Sequence, residues 1–130
     1  MIVLDASAAV DWLLQTSAGK RIESRIFLHN ESLHSPHLFD VEVIQALRRS
    51  VLQKIVSGNR ADDAIRDLLD LRITRYPHNV LLPRIWQLRQ NFSAYDAAYI
   101  VLAEELGATL VTRDGRLASA AGDEVVVEVY

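Results

Sequence analysis

The chain has 130 residues, of which half are hydrophobic and 24% are charged, with a net charge of −3. This profile is typical of one globular domain with a buried core, here residues 1–130. The absence of cysteine excludes disulfides, thiolate metal sites and cysteine nucleophiles. No apolar stretch reaches the ~18 residues that a membrane-spanning helix needs, and the first residues lack the features of a signal peptide. We therefore expect a cytoplasmic protein with no membrane partner.

Apolar runs bounded by turn residues predict the strands. In chain order they lie at residues 1–5, 73–76, 109–112 and 125–129, with a short extended piece around Leu33 and His34. Amphipathic periodicity predicts a helix from Ser7 and further helices over residues 18–28, 36–56, 60–72, 79–90, 94–106 and 115–121. The predicted N-caps are Ser17, Ser35, Asn59 and Ser93, and the predicted helix ends are Gly58 and Gly107.

Strands that alternate with one or two helices predict an α/β fold with a mainly parallel central sheet and helices on both faces. Asp5 and Asp114 each follow a predicted strand directly, and Asp96 opens the helix that leads into the second of these strands. Because the carboxyl ends of parallel strands meet at one edge of a sheet, we expect the three acids to lie close together. Glu42, at the edge of the longest helix, is the fourth candidate.

The four acids are treated together below as the acidic quartet, which consists of Asp5, Glu42, Asp96 and Asp114. Like charges about 4 Å apart repel by roughly 4 kcal/mol per pair at an effective dielectric constant near 20. Such a cluster therefore indicates a divalent cation, and a shell made only of oxygen atoms suits Mg²⁺ or Mn²⁺ better than zinc. Ser7 and Thr112 bring hydroxyls to the same edge, where they could orient a carboxylate.

Each acid also has a structural explanation. Asp5 could cap the helix that follows it, and Asp96 completes a capping-box pattern that begins at Ser93. Asp114 could belong to a turn. An acid early in a helix, as at Glu42, is favoured by the helix dipole, and Asp40 is an alternative to it.

Bulk charge does not decide whether nucleic acid is a partner. The net charge is negative, but only two of the 14 basic residues are lysines, and several arginines lie near the acids. A basic rim around an acidic, metal-binding centre would fit a phosphodiester substrate. The possible RNA contacts are Arg48, Arg49, Arg113 and Arg116.

Four segments of the chain resemble the PIN domain, and their combination resembles the VapC-type toxins of bacterial toxin–antitoxin pairs. The segments are VLDASA at residues 3–8, EVIQALRR at 42–49, SAYDAAY at 93–99 and LVTRDGRLA at 110–118. The resemblance covers nearly the whole chain. It also favours Glu42 over Asp40, because Glu42 opens the second segment.

The resemblance implies a metal-dependent endoribonuclease that cleaves structured RNA, such as transfer or ribosomal RNA, and so inhibits translation. Asp5, Asp96 and Asp114 would hold one or two Mg²⁺ or Mn²⁺ ions, and Glu42 would hold a second ion or position the attacking water. Ser7 and Thr112 match the accessory hydroxyl positions. Hydrolysis by water would leave a 5′-phosphate and a 3′-hydroxyl.

The resemblance also implies partners. These are an RNA substrate, a second copy in a homodimer, and a cognate VapB-type antitoxin whose tail covers the acidic groove. Operator DNA would be bound only through the antitoxin. Two alternatives are a catalytically idle PIN-like binding module and a phosphorelay receiver domain. The receiver domain needs a second acid beside Asp5 and a lysine after a late strand, and the chain has neither.

Overall fold

The computed structural model describes all 130 residues, and its five strands form one sheet in which every neighbouring pair is parallel. The strands are β1 (Ile2–Leu4), β2 (Leu33–Pro36), β3 (Ile73–Tyr76), β4 (Thr109–Thr112) and β5 (Val127–Val129), in the order β3-β2-β1-β4-β5. The helices are α1 (Ala6–Leu13), α2 (Ser17–Leu28), α3 (Leu38–Leu52), α4 (Gly58–Asp70), α5 (Leu82–Gln87), α6 (Ala94–Leu106) and α7 (Gly115–Ala120). A 3₁₀ turn at Asn79–Leu81 precedes α5. The predicted α/β fold is confirmed.

The core lies where β1 and α6 meet. All three residues of β1 are fully buried, which explains why this strand is a continuous apolar run rather than an alternating one. In α6, every residue from Ala97 to Ala103 is buried, so this helix is apolar on all sides and lies against β1, β2 and β4. Helix α1 packs against α2, α3 and α4.

The strand order places the start of the chain at the centre of the sheet. Strands β2 and β3 extend from one side of β1, and β4 and β5 extend from the other, so the order reverses between β1 and β4. In open parallel sheets, ligands bind in the crevice at the carboxyl ends of the strands where this reversal occurs. Leu4 is paired with Val111, which brings Asp5 and Thr112 side by side at that crevice.

Several predicted helix boundaries are wrong, although the elements themselves exist. Ser35 and Pro36 end strand β2 instead of starting a helix, and the Ser35 hydroxyl donates to the Leu4 carbonyl oxygen at 2.6 Å. Pairing with β1 and β3 on either side outweighs the local Ser-Pro signal. Helix α3 accordingly begins at Leu38 and ends at Leu52.

The predicted caps were correct where one polar residue stood alone. Ser93 caps α6, and Gly107 ends it in the left-handed region at φ 58°. Where several cap-forming residues are close together, the observed cap lies one or two positions before the predicted one. Thr16 rather than Ser17 caps α2, and Ser57 rather than Asn59 caps α4; the caps accept hydrogen bonds from the amides of Gly19 and Arg60, respectively. Gly58, the predicted end of α3, is instead the first residue of α4.

The remaining differences are small. The predicted helix at residues 79–90 is a 3₁₀ turn followed by the six residues of α5, with Pro83 in the first turn of α5. The last strand begins at Val127 rather than Val125. No helix is both long and apolar enough to cross a membrane.

We expect Gly19→Ala to destabilise the protein by about 3 kcal/mol, because a Cβ atom at this position would overlap the Asp11 carbonyl where α2 crosses α1. Gly58→Ala is the matched control. A Cβ atom there meets no other atom, so the change should be neutral or stabilising by up to about 1 kcal/mol. Urea unfolding of both variants measures the difference. Equal stabilities would contradict the close approach of α1 and α2.

Candidate active site

Asp5 is held by two hydroxyl groups. Its Oδ2 atom accepts hydrogen bonds from Ser7 Oγ at 2.8 Å and from Thr112 Oγ1 at 2.6 Å. The backbone amides of Arg113 and Asp114 donate in turn to those two hydroxyl oxygens, at 3.1 and 3.0 Å. Asp5 occupies the N-cap position of α1, but its side chain makes no capping hydrogen bond. The carboxylate is therefore directed toward β4 rather than used to cap its own helix.

Glu42 lies on the face of α3 that meets α6. Tyr99 donates its phenolic hydrogen to Glu42 Oε1 at 2.7 Å. Burial raises the pKa of Glu42, the Tyr99 hydroxyl lowers it, and the carboxylates of Asp5 and Asp96 raise it further. Glu42 therefore shares its electrostatic environment with two other members of the acidic quartet.

Asp40, the alternative to Glu42, has a structural role. The guanidinium group of Arg75 on β3 donates to both of its carboxylate oxygens, at 2.6 and 2.9 Å. Two parallel hydrogen bonds of this kind give a well-defined ion pair. The pair ties the first turn of α3 to the edge strand β3, and it leaves Glu42 as the acid on this helix that is close to Asp5.

Asp96 lies in the first turn of α6, where the helix dipole favours a negative charge. Its backbone amide donates to the Ser93 hydroxyl at 3.1 Å, so the predicted cap is formed. Burial raises the pKa of its carboxyl group, and the charges of Asp5 and Asp114 raise it further. Capping and proximity to the other acids coexist at this residue.

Asp114 caps α7 and forms an ion pair with Arg116. Its Oδ1 atom accepts from the Arg116 amide at 3.0 Å, and the Arg116 side chain reaches Oδ2 at 2.7 Å. Hydrogen bonding by Arg116 lowers the pKa of Asp114. In contrast to Glu42 and Asp96, this acid has a cation of its own.

The acidic quartet therefore lies at one edge of the sheet, drawn from four separate parts of the chain. The donor set consists of carboxylate and hydroxyl oxygens, which fits Mg²⁺ or Mn²⁺. In the side-chain conformations of the structure, no three of these acids lie close enough together to hold one ion.

The four arginines proposed to contact RNA occupy different positions. Arg116 is paired with Asp114, and Arg113 donates to Asp11 Oδ2 at 2.7 Å. Arg48 and Arg49 are exposed on α3, and only Arg49 is close enough to Glu42 to lower its pKa. RNA contact by these side chains remains a prediction.

The sequence analysis did not identify Tyr99 as a candidate site residue. Tyr99 follows Asp96 by three positions, so the two side chains project from neighbouring positions on one face of α6. That spacing was the available signal. A surface cavity of about 820 Å³ lies elsewhere, near the amino-terminal ends of β2 and β3, against Phe27, Leu71 and Thr74.

Comparison with known proteins gives one consistent relationship. A family model described as PIN domain matches residues 2–123. The protein named ribonuclease VapC12 from Mycobacterium tuberculosis is 42% identical over 129 residues, which cover 99% of this chain and 98% of that protein.

Solved structures share the fold at lower identity. One is Mycobacterium tuberculosis VapC20, described as a sarcin–ricin loop cleaving toxin, with a TM-score of 0.69 and 16% identity over 97% of this chain and 99% of that one. Another is VapBC2 from Rickettsia felis bound to a DNA fragment from its promoter, with a TM-score of 0.64 and 13% identity over 99% of this chain and 98% of that one.

We expect Glu42→Gln and Asp40→Asn to change stability in opposite directions. A raised pKa means that the folded state holds ionised Glu42 less favourably than the unfolded state does, so ionisation lowers the free energy of unfolding. Glutamine removes this charge and can still accept from Tyr99, which should stabilise the protein by about 0.5–1 kcal/mol. Asp40→Asn weakens the partly exposed pair with Arg75 and should cost up to about 1 kcal/mol.

Urea unfolding in a neutral buffer with EDTA measures both changes. A loss of stability in Glu42→Gln comparable to that in Asp40→Asn would contradict the repulsion among the quartet.

Proposed function

Because this chain belongs to the PIN-domain family, in its VapC branch, we propose that it is a Mg²⁺- or Mn²⁺-dependent endoribonuclease and the toxin of a type II toxin–antitoxin pair. The observation that carries the proposal is the acidic quartet at the crevice between β1 and β4, where Glu42 and Asp96 have raised pKa values because of burial and neighbouring acids. The family resemblance predicted from four sequence segments is confirmed by the comparisons. An RNA substrate implies action in the cytoplasm.

In this proposal each acid contributes oxygen ligands from a fixed element. Asp5, Asp96 and Asp114 would hold one or two divalent ions, and Glu42 would hold a second ion or orient the attacking water. Both hydroxyls donate to Oδ2 of Asp5, so its Oδ1 remains available as a ligand. A bound ion would lower the pKa of the attacking water and offset the negative charge that develops on the phosphate.

The basic groups at the rim would act on the substrate. Arg116 is 88% exposed at its side chain and reaches Asp114 from solvent, so it could exchange this carboxylate for an RNA phosphate. Arg49, also exposed, lies on the Glu42 side. Phosphate contacts of this kind position a nucleic acid without reading its sequence. We propose structured RNA of the translation apparatus, transfer or ribosomal, as the substrate class.

The alternative is a PIN-like module that only binds a partner. An idle module has no need of a carboxylate cluster that raises the pKa values of its own members. The network that fixes Asp5 through Ser7 and Thr112 also argues for a working site, because it orients a single carboxylate without capping the helix. Absence of Mn²⁺ binding would make the idle module the better interpretation.

We expect Asp96→Asn to lower RNA cleavage by at least about 100-fold, the range seen when one preorganised electrostatic group is removed. Total bacterial RNA is incubated with antitoxin-free protein and Mg²⁺, Mn²⁺ or EDTA, and fragment ends are mapped. Wild type should give discrete fragments with 5′-phosphates, and EDTA should abolish them.

Asp40→Asn is the matched control for this experiment, because it removes an acid from the same region outside the quartet. It should cleave as wild type does. Fragments that carry 2′,3′-cyclic phosphates, or cleavage that continues in EDTA, would contradict the proposed mechanism.

For the inhibitory partner, we propose a VapB-type antitoxin, through which operator DNA is bound. The support is the relative VapBC2, a complex bound to promoter DNA by its description, together with the charge of the groove. A cationic antitoxin side chain could enter the acidic quartet as Arg116 already does at Asp114.

We also propose that two copies form a homodimer through the surface formed by α5 and the start of α6. Three large apolar side chains are exposed around two adjoining shallow grooves there, Leu82 (53%), Trp86 (68%) and Tyr95 (66%), and Leu82 lines both grooves. Contiguous apolar surface of this kind marks protein–protein contacts. Tyr95 directly precedes Asp96, so the dimer contact would lie beside the acidic quartet.

We expect Trp86→Glu to raise the dissociation constant of the homodimer by at least about 100-fold, because tryptophans that become buried on association are frequent hot spots of interfaces. Light scattering across a concentration series measures the dissociation constant. Leu69→Glu on α4, at a side chain that is 77% exposed, is the control and should leave the dimer intact. A dimer that tolerates Trp86→Glu would assign the contact to another surface.

A further inference from the structure

Tyr99 is a core residue with one polar atom, and that atom meets the acidic quartet. The side chain is 1% exposed and is the largest of the fully buried side chains. Its hydroxyl donates to Glu42 Oε1 at 2.7 Å. A phenylalanine would fill the same volume, so packing alone does not explain the hydroxyl. A buried tyrosine hydroxyl needs a partner, and here the partner is a proposed ligand.

Glu42 is the member of the quartet that most needs orientation. It has the longest side chain of the four and lies within a helix, whereas Asp5 and Asp114 follow strands and Asp96 opens a helix. Hydroxyls fix Asp5, and a guanidinium group engages Asp114. Without Tyr99, the Glu42 carboxylate would have no hydrogen bond from another side chain to select its position.

The hydrogen bond also joins the two helices that flank the site. Tyr99 belongs to α6, one helical turn after Asp96, while Glu42 belongs to α3. The bond therefore fixes the position of Glu42 relative to Asp96. Because it uses Oε1, the second oxygen, Oε2, is left for a ligand or a water molecule.

The electrostatic surroundings agree with this geometry. Burial raises the pKa of the Tyr99 phenol, and the nearby carboxylates of Asp5 and Glu42 raise it further, so Tyr99 remains a hydrogen donor. The bond therefore runs from the phenol to the Glu42 carboxylate, and it needs no proton on Glu42.

We infer that Tyr99 is a positioning residue: its hydroxyl holds the Glu42 carboxylate in place for the proposed metal-dependent cleavage. The inference rests on the proposed function, in which Glu42 either binds an ion or orients the attacking water. In both cases Tyr99 acts through Glu42 alone. Groups that orient a metal ligand typically contribute 10- to 100-fold to metal affinity or activity.

A double-mutant cycle tests the inference, with Tyr99→Phe, Glu42→Gln and the combined variant. Two quantities decide the outcome: Mn²⁺ affinity without RNA, by electron paramagnetic resonance, and kcat on an oligonucleotide that spans a cleavage site mapped in total RNA. The KM of the same reaction is measured alongside. Tyr99→Phe should change whichever quantity Glu42→Gln changes, by about 10-fold, with little change in KM. In the Glu42→Gln background it should have no further effect.

Tyr76→Phe is the matched control, because it removes a tyrosine hydroxyl bonded at 2.7 Å to His34 Nδ1, away from the quartet. It should leave Mn²⁺ affinity and kcat unchanged. Equal effects of Tyr99→Phe in the wild-type and Glu42→Gln backgrounds would mean a general structural role and would overturn the inference. So would a Tyr99→Phe variant that matches wild type in both quantities.

The Mn²⁺ measurement separates this inference from the proposed function. Wild-type protein with no affinity for Mn²⁺ would overturn the metal-dependent function and, with it, the role of Tyr99. Wild-type protein that binds Mn²⁺, with Tyr99→Phe unchanged in both quantities, would overturn only the role of Tyr99.

Discussion

Repulsion among four carboxylates is the constraint on which this end of the molecule depends. The fold brings the acids together from distant parts of the chain, and each is held by a different partner. Two hydroxyls hold Asp5, a phenol holds Glu42, the start of α6 favours Asp96, and a guanidinium pairs with Asp114. The partners differ in charge, and the pKa values differ accordingly. Burial is the main cause of the raised pKa values of Glu42 and Asp96, while the cationic Arg116 lowers the pKa of Asp114. The protein therefore holds the charges of Glu42 and Asp96 less favourably than water would, whereas Arg116 compensates that of Asp114.

The architecture could be predicted from sequence because its signals are local and repeated. Apolar runs such as Ile2–Leu4 have no polar alternation, which is the pattern of a strand buried on both faces. Once the strands are parallel, their carboxyl ends share one edge, and the pairing of β1 with β4 places Asp5 and Asp114 after neighbouring strands. The boundaries were less predictable, since adjacent cap-forming residues such as Thr16 and Ser17 compete for one position, which Thr16 occupies in the structure.

The partners of the acids could not be predicted, because they depend on how helices rotate and cross. Asp40 and Glu42 are only two residues apart, yet one faces Arg75 on β3 and the other faces Tyr99 on α6. Periodicity assigns faces to α3 but does not say which neighbour each face meets. The family motif selected Glu42, and the structure supplies a physical reason: the ion pair with Arg75 already occupies Asp40.

The pairing of β1 with β4 has a consequence for the order of events during synthesis. The central strand β1 can pair with β4 only when residues 109–112 exist, and Asp5 accepts a hydrogen bond from the Thr112 hydroxyl, more than 100 residues away in sequence. Contacts so distant in sequence form late, because closing a long loop is entropically costly. A nascent chain on the ribosome therefore carries Asp5 from the start but no assembled quartet until nearly all of these residues have been made.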